Sequence, residues 1–291
     1  WGPSSVYAHS LSTRLMTFFF VAIPQYLSIL IWPLGLHMER EMKLVFVLNQ
    51  IQPLSLATIG VFFLTIIAIS VYMYRRRVAI THPFFLGLFL LVIFMMPFSG
   101  IMPLNGIVYE HWLYAPMIGF WLIIFSLMQR VLPKRIFQIT LSVVFVIWGI
   151  LSMRQIAIWR SAFTLFPNIL KYTDSSRIHL DLGMAYADTQ QLPQAEQEYR
   201  KTIALGDPYP QTHHNFANLY VSEGKYASAE AEYKKALAID PTFTFSLQAL
   251  TQLEIALKKK AEALEWVNKA LAAFPGDEGF AALKRQASAL P

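Results

Sequence analysis

The C-terminal half of the chain repeats itself every 34 residues, and this period restricts what it can fold into. Three columns of the repeat hold alanines, large side chains and small side chains. Their members are Ala195, Ala229 and Ala263, then Tyr199, Tyr233 and Val267, then Thr202, Ala236 and Ala270. Pro208 follows the first unit one place late, whereas Pro241 and Pro275 end the next two in register. This pattern predicts stacked pairs of antiparallel helices, because small residues let two helices approach and proline ends the second one.

The repeat resembles the tetratricopeptide repeat (TPR), a helix pair of about 34 residues. It divides the region into three units, 176–209, 210–243 and 244–277. The third unit departs from the pattern, because Glu254 stands where the first two have Tyr186 and Tyr220. We therefore expect an α-helical solenoid of three TPR units with a degraded third unit.

Helices are also predicted on both sides of the repeats. Residues 278–291 are expected to form a capping helix, since the end of a solenoid has to be covered. Residues 154–175 are expected to connect the repeats to the preceding half, with a helix at 159–172 that resembles an isolated second helix of a unit. No Gly/Ser-rich linker interrupts this region, so the repeats are expected to be held rigidly.

Residues 1–153 are predicted to form a transmembrane helical domain. The chain is 55% hydrophobic and only 14% charged, whereas an average soluble domain is about a quarter charged. About 20 mostly apolar residues are needed to cross a bilayer, and five stretches qualify, near 15–36, 54–74, 84–103, 113–129 and 136–153. The predicted fold class is therefore all-α, a polytopic membrane domain followed by a TPR α-solenoid.

Basic residues between the spans predict the orientation, because Lys and Arg collect on the cytoplasmic side. Three arginines at 75–77 close the second span, and Arg130, Lys134 and Arg135 separate the fourth span from the fifth. Both clusters are cytoplasmic only if the first span runs outward. The chain is therefore predicted to be integral to the cytoplasmic membrane, with its N-terminus cytoplasmic and its TPR domain on the periplasmic or extracytoplasmic side.

Charge is divided unevenly between the two halves. Residues 1–153 hold nine Lys and Arg against three Asp and Glu, and residues 154–291 hold fifteen of each, so the net charge of +6 lies in the apolar half. A basic chain can indicate nucleic-acid binding, but no basic face accompanies this charge, and no nucleic-acid partner is expected. The chain has no cysteine, which excludes disulfides and thiolate metal sites.

Two loops predicted to lie outside carry candidate substrate contacts. Glu110 and His111 lie between two spans beside Tyr114, and an acid flanked by aromatic residues at an interface is suited to bind the polar head of a lipid-linked molecule. Arg40 follows the first span and is able to pair with a phosphate through charge-assisted hydrogen bonds. The alternative is that Glu110 is a solvated interfacial residue and Arg40 belongs to a hydrated helix end.

Two further clusters favour no chemistry. His213 and His214 are adjacent on a predicted helix, so their rings point about 100° apart and are poorly placed to share a metal. Lys258, Lys259 and Lys260 are predicted to form a solvated turn between helices. The sequence has no phosphate-binding glycine loop, nucleophile elbow or HExxH motif, and we predict no metal site and no resident cofactor in this chain.

The order of elements resembles the C-terminal part of the transmembrane and TPR-containing glycosyltransferases, a GT-C-type family that includes eukaryotic O-mannosyltransferases and bacterial relatives. A proline-rich span ends in WPLGLH, an outer loop reads EHWLYAPMIGF, and WRSAFTLF leads into the TPR units. The corresponding loop of the family commonly reads ERxLYLPSxGF. The matching residues are Glu110, Leu113, Tyr114, Pro116, Gly119 and Phe120, while His111 replaces the usual arginine.

This resemblance implies transfer of a sugar, typically mannose, from a polyprenyl-phosphate carrier to a protein acceptor on the outer face. Membrane lipid, the lipid-linked donor and the acceptor would then be the partners, with Glu110, His111, Tyr114 and Arg40 positioning the substrate. The essential acid of the family lies in the first outer loop. Because this chain starts at Trp1, after that loop, the catalytic residue is expected upstream and the chain alone is expected to be inactive.

The TPR groove is expected to hold or present the acceptor. Resemblance to other TPR grooves places the contacts on the inner face of each first helix. These candidates are Arg177, Asp188, His214, Asn218, Gln248 and Gln252. Their amides, charges and imidazole are suited to hydrogen-bond an extended peptide.

Two other functions fit the same order of elements. A non-catalytic scaffold would use the spans as an anchor and the TPR units to recruit a protein outside the cytoplasm. A flippase, ligase or polymerase for lipid-linked glycans also combines many spans with TPR units. Such a protein is expected to carry basic residues in large outer loops, and the predicted outer loops of this chain are short.

Overall fold

The computed structural model describes residues 10–31, 33, 36, 52–101, 110–206 and 209–291. In this part of the chain every regular element is a helix and none is a strand, so the all-α fold class is confirmed there. Contacts between residues divide the chain into two compact units, Trp1–Arg160 and Ser161–Pro291.

The first unit is built from long, mostly apolar helices. They are α1 (Leu11–Thr17), which continues through a π-helical turn (Phe18–Ala22) into α2 (Ile23–Ile31), then α3 (Pro53–Arg75), α4 (Pro83–Met95), α5 (Tyr114–Val131) and α6 (Lys134–Ile158). Short 3₁₀ helices extend α4 at Met96–Phe98 and precede α5 at Glu110–Leu113. The π-helical turn comes just before Pro24, whose missing N–H donor interrupts regular α-helical pairing.

Among the described residues, four helical segments are long and apolar enough to cross a membrane. They are Leu11–Ile31, Pro53–Arg75, Glu110–Val131 and Lys134–Ile158. The predicted third span corresponds to a shorter apolar helix, Pro83–Phe98, which is followed by a turn at Gly100 with φ of 84°. Five membrane crossings therefore stay a prediction.

Helix α6 exposes apolar side chains around its circumference. None of its 25 residues is buried within the unit, and Val143, Phe145 and Ile150 are each about half exposed or more. Apolar surface of this extent is unfavourable in water and typical of a helix that contacts lipid. This makes α6 a clear candidate for a membrane span.

Helices α4 and α5 approach each other at two glycines. A Cβ on Gly87 would lie 2.7 Å from the carbonyl oxygen of Gly119, and a Cβ on Gly119 would overlap the backbone of Gly87 and Leu91. Only glycine permits this approach, as in the small-residue contacts between membrane helices. Since Gly87 meets Gly119 and Ile123 while Leu91 meets Gly119, the two helices run antiparallel.

The antiparallel pair brings the two basic clusters to one end. The arginines at 75–77 precede α4, and Arg130, Lys134 and Arg135 lie where α5 ends and α6 begins. This is the arrangement that the predicted orientation requires. At the opposite end, a Cβ on Gly100 would lie 3.0 Å from the carbonyl group of Arg14, whereas the predicted topology puts the start of the first span on the side of the basic clusters. The direction of the first span therefore stays a prediction.

The second unit is a series of helix pairs. Its helices are α7 (Ala162–Ile169), α8 (Ser176–Asp188), α9 (Leu192–Ala204), α10 (Pro210–Ser222), α11 (Tyr226–Ile239), α12 (Thr244–Ala256), α13 (Lys260–Ala273) and α14 (Glu278–Ser288). The pairs are α8 with α9, α10 with α11 and α12 with α13, and α14 packs against the last pair. Each repeat unit thus supplies one pair.

The connection into the repeats differs in detail from its prediction. Helix α6 runs to Ile158, beyond the predicted end of the fifth span at residue 153. The helix predicted at 159–172 is limited to Ala162–Ile169, because the side chains of Ser161 and Thr164 form a capping box that begins a new helix. Helix α7 packs on α8, where the ring centroids of Phe163 and Tyr186 lie 5.1 Å apart.

The columns of the repeat form the core of the second unit. Ala195, Ala229 and Ala263 have no exposed surface. A Cβ on Gly183 would lie 2.7 Å from the ring of Tyr199, so the tyrosine of α9 fills the space that this glycine leaves on α8. The close approach of the paired helices therefore requires a small residue at Gly183 and in the alanine column.

Candidate binding groove

The six residues predicted to line the groove lie on the first helices of the repeat units, α8, α10 and α12. All are exposed except the half-buried His214: Arg177, Asp188, His214, Asn218, Gln248 and Gln252. The structure brings Asp188 and Asn218 to one cleft and places the other four candidates outside its lining. Peptide binding by these six residues stays a prediction.

The cleft lies between the first and second repeat units and has a volume of about 360 Å³. Its apolar surface comes from Met184, Ala187, Leu192, Tyr199 and Leu219. Its polar groups belong to Asp188, Gln190, Asn215, Asn218 and Ser222. An apolar lining with a few placed polar groups is typical of a site that orients a ligand group.

A chain of hydrogen bonds lies beside the cleft and joins residues of the second repeat unit to Ser246 of the third. The Tyr233 hydroxyl donates to Asn218 Oδ1, Asn218 Nδ2 donates to His214 Nε2 at 3.1 Å, and His214 Nδ1 lies 3.1 Å from Ser246 Oγ. With Nε2 as an acceptor, the neutral imidazole carries its proton on Nδ1 and donates it to Ser246. Burial lowers the pKa of His214 and raises the pKa of Tyr233 to about 12, and both shifts favour this neutral arrangement.

Aromatic rings surround the same histidine. The ring centroid of His214 lies 5.6 Å from Tyr233, 5.6 Å from Phe243 and 6.1 Å from Phe245. Phe245 is 65% exposed. The groove therefore offers an apolar contact surface next to the polar chain.

The two adjacent histidines point into different surroundings. His214 faces the groove, whereas His213 Nδ1 lies 2.7 Å from Glu232 Oε2 on the paired helix α11. They share no ligand position, and within the described residues no group of three or more His, Asp or Glu side chains is arranged to hold a metal ion.

The first two repeat units share a polar group that sequence reasoning missed, in which the histidine and the glutamate are mostly buried and the lysine is exposed. Its members are His179, Glu198 and Lys201 in the first unit and His213, Glu232 and Lys235 in the second. In both units the histidine on the first helix bonds the glutamate on the second, at 2.5 and 2.7 Å. The signal was present in the sequence, because each pair of equivalent residues is 34 positions apart.

The lysine run after α12 is more than the solvated turn that was predicted. Lys258 forms the turn with φ of 58°. Lys259 Nζ donates to Glu230 Oε2 at 2.5 Å, and Lys260 Nζ donates to the carbonyl oxygen of Leu290 at 2.6 Å. Two of the three lysines therefore tie the start of α13 to neighbouring elements.

Glu254, at the degraded position of the third unit, has no exposed surface. Lys259 Nζ lies 3.3 Å from Glu254 Oε2, yet in the described part of the chain neither carboxyl oxygen accepts a hydrogen bond. At this distance the positive charge of Lys259 attracts the Glu254 carboxylate and opposes the effect of burial on its pKa. Burial, and then the nearby Glu230, raise the pKa of Glu254.

The candidates in the predicted transmembrane unit lie near the start of α5. Glu110 is half-buried on the 3₁₀ helix before α5, and His111 and Tyr114 are exposed. Arg40 lies outside the described residues. The ring of Trp112 stacks on Phe98 at 4.4 Å, which anchors this 3₁₀ helix to the end of α4. Substrate positioning by these residues stays a prediction.

The paired helices, their buried columns and their stacking define the second unit as a TPR α-solenoid. A family model described as tetratricopeptide repeat matches residues 220–287. That match covers part of the second repeat unit and all of the third, and it reaches into α14. TPR repeats, predicted from the period, are therefore recognised, and such stacks present extended surfaces for protein–protein interaction.

Several solved structures are similar to part of the chain. The first TPR of Spaghetti (RPAP3), bound to an HSP90 peptide, is 22% identical, with 39% of this chain and 90% of that chain covered and a TM-score of 0.36. MamA is 14% identical, with 47% and 91% covered and a TM-score of 0.38. PilF of Pseudomonas aeruginosa is 17% identical, with 50% and 66% covered and a TM-score of 0.40. Likenesses of this size carry no argument about function.

No curated protein matches the chain. The comparisons supply no evidence for a glycosyltransferase.

Proposed function

We propose that the chain is a membrane-anchored scaffold whose TPR units bind an extended segment of a partner protein. The first unit supplies the anchor, and the groove formed by α8, α10 and α12 supplies the binding surface. The partner is expected on the periplasmic or extracytoplasmic side, where the orientation predicted from the basic clusters places the TPR units.

The cleft between the first two repeat units carries this proposal. Asn218 stands at its edge with its carbonyl oxygen held by Tyr233 and one N–H held by His214. An amide fixed in this way still has a second N–H to donate, and its orientation is set before a ligand arrives. A pre-organised donor beside an apolar cleft is suited to the backbone carbonyl of an extended peptide.

The proposal is tested with the full chain in lipid nanodiscs and a displayed library of random ten-residue peptides. Asn218→Arg fills the groove edge with a long charged side chain and is expected to abolish selection of the peptides that bind the unaltered chain. The matched control is Asn268→Arg, since Asn268 is exposed on the second helix of the third unit. The thermal unfolding of both variants is compared with that of the unaltered chain.

Peptides that bind the Asn268→Arg variant but not the Asn218→Arg variant support the groove. The groove function is overturned if no peptide is selected, or if the selected peptides bind both variants equally well.

A sugar transferase remains the second candidate, and it rests on the resemblance of the EHWLYAPMIGF stretch to its family. It would use the same groove to present an acceptor. Glu110→Ala is then expected to abolish transfer from a polyprenyl-phosphate-linked mannose while the partner stays bound. The scaffold is favoured instead if the partner is still recruited, and its function kept, after residues 1–160 are replaced by an unrelated membrane anchor.

A further inference from the structure

We infer that the cleft between the first two repeat units accepts a lysine or arginine side chain of the bound segment, with Asp188 as its charge partner. This inference rests on the proposed groove function and specifies the chemistry that the groove selects.

The cleft carries a negative charge. Asp188 is the one charged group among the described residues that line it. In the part of the chain that the structure describes, Asp188 makes no ion pair. A carboxylate at the mouth of a partly apolar cleft attracts a cation more strongly than it would in bulk water, because the lining lowers the local dielectric constant.

The lining of the cleft also fits the stem of a long basic side chain. Met184, Leu192 and Leu219 provide aliphatic surface, and the ring of Tyr199 lies among them. Lysine and arginine bury their methylene stems along such surface while the charged head stays at a polar rim. A glutamate or aspartate would be repelled by Asp188, and a purely aliphatic side chain would leave the carboxylate without a partner while removing water from it.

The field of the carboxylate reaches the interior of the cleft. Burial is the main cause that raises the pKa of Tyr199, and the Asp188 carboxylate raises it further. Tyr199 is almost completely buried, so a negative potential is felt at the apolar side as well as at the rim. A cationic head entering the cleft would therefore meet a favourable potential along its path.

The polar rim fixes the rest of the segment. The second N–H of Asn218 is directed by the bonds that hold its amide to Tyr233 and His214. Ser222 Oγ donates to the carbonyl oxygen of Leu219 at 2.7 Å, which leaves its oxygen as an acceptor for a peptide N–H. The cation would thus be held by charge and the neighbouring backbone by hydrogen bonds.

The test compares selected peptides between the unaltered chain and Asp188→Asn, both as full chains in nanodiscs. One position of the peptides selected by the unaltered chain is expected to be enriched in Lys or Arg. A synthetic peptide with lysine at that position is expected to bind about tenfold more tightly than the same peptide with norleucine, as measured by fluorescence anisotropy. With Asp188→Asn this difference is expected to disappear. The control Glu262→Gln removes an exposed acidic charge from α13 and should keep it.

The outcomes separate this inference from the function on which it rests. Peptides that bind in the groove without a basic position, or a lysine preference that survives Asp188→Asn, overturn the basic subsite and leave the groove function standing. A preference lost equally in Asp188→Asn and Glu262→Gln also overturns it, because the effect would then be one of overall charge. If no peptide is blocked by Asn218→Arg, the groove function itself has failed.

Discussion

Glu254 occupies the position that Tyr186 and Tyr220 occupy in the first two repeat units. An aromatic ring there would add apolar contacts between helices, whereas the carboxyl group is buried without a hydrogen bond in the described part of the chain. Because burial raises its pKa, the folded state binds the proton more tightly than the unfolded state does. The contribution of Glu254 to stability is therefore largest at acidic pH and is lost as the pH rises through the raised pKa.

The pH dependence of the Glu254 contribution leads to a first prediction. Glu254→Gln keeps the shape of the side chain and removes its titration, so at pH 8 the variant is expected to be more stable than the unaltered chain by about 1–2 kcal/mol. The gap is expected to shrink as the pH falls towards the ordinary pKa of glutamate. Urea titrations of the full chain in detergent micelles, followed by circular dichroism at several pH values, measure it. A gap that does not change with pH would contradict the prediction.

Glu232 is also buried, but its pKa is shifted in the opposite direction from that of Glu254. Burial alone would raise its pKa, but hydrogen bonds from His213 and Lys235 outweigh burial and lower the pKa of Glu232. Its contribution is therefore present above the ordinary pKa of glutamate and is lost as the pH falls through the lowered value. Glu232→Gln is expected to cost about 1–2 kcal/mol at pH 7 and progressively less towards pH 4.

The control for Glu232 is Glu265, which pairs with Lys269 at 2.6 Å on an exposed helix face. Exposed pairs of this kind contribute little to stability, so Glu265→Gln is expected to leave the same urea titration almost unchanged. Equal losses for the two substitutions would show that the bond between His213 and Glu232 does not stabilise the unit.

At the scale of elements, the three helix pairs are not held together in the same way. The first two pairs are bridged by the buried histidine and glutamate groups. In the third pair the equivalent positions are Leu247 and Trp266, and Lys269 Nζ lies 4.0 Å from the centroid of the Trp266 ring. Polar bridges therefore link the two helices of the first two pairs, whereas the third pair has apolar side chains at these positions and its cation–π contact lies within α13 itself.

The sequence predicted these elements well where a period or a column determined them. The helix pairs and their buried alanines follow from small residues spaced at 34, since close packing permits nothing larger there. The hydrogen bonds of Asn218 were not predictable, because they depend on side-chain rotamers and on a partner one helix away. The contact of Gly87 with Gly119 was likewise hidden, because two glycines on separate spans do not reveal which helix each faces.

That glycine contact gives a prediction for the first unit. Gly119→Ala would place a Cβ against the backbone of Gly87 and Leu91, and backbone cannot move aside as a flexible side chain can. The substitution is expected to lower the thermal unfolding midpoint of the chain in detergent, at a cost of about 1–3 kcal/mol. Gly149→Ala on α6 is the control, because a Cβ there meets nothing within 4 Å. Equal unfolding midpoints for the two variants would show that the contact between Gly87 and Gly119 does not stabilise the protein in detergent.

At the scale of the whole molecule, the proposed scaffold depends on which side of the membrane each unit occupies. Because the chain has no cysteine, a single introduced thiol reports the side of the membrane on which its position lies. Thr81 is exposed in the loop between α3 and α4, at the end that carries the arginines, and Ser288 is exposed at the end of α14. The predicted orientation puts these two positions on opposite sides of the bilayer.

Labelling of intact cells with a membrane-impermeant maleimide is expected to modify Ser288→Cys and to spare Thr81→Cys until the membrane is opened. The basic residues near Thr81 lower the pKa of a thiol and favour its reaction, so protection would reflect the membrane rather than a slow thiol.

A third position, Ser12→Cys, decides the direction of the first span. It behaves like Thr81→Cys if that span runs outward as predicted, and like Ser288→Cys if the contact between Arg14 and Gly100 places the start of α1 outside. Labelling of Thr81→Cys and Ser288→Cys from the same side of the membrane would contradict the predicted topology, and the proposed extracytoplasmic scaffold depends on that topology.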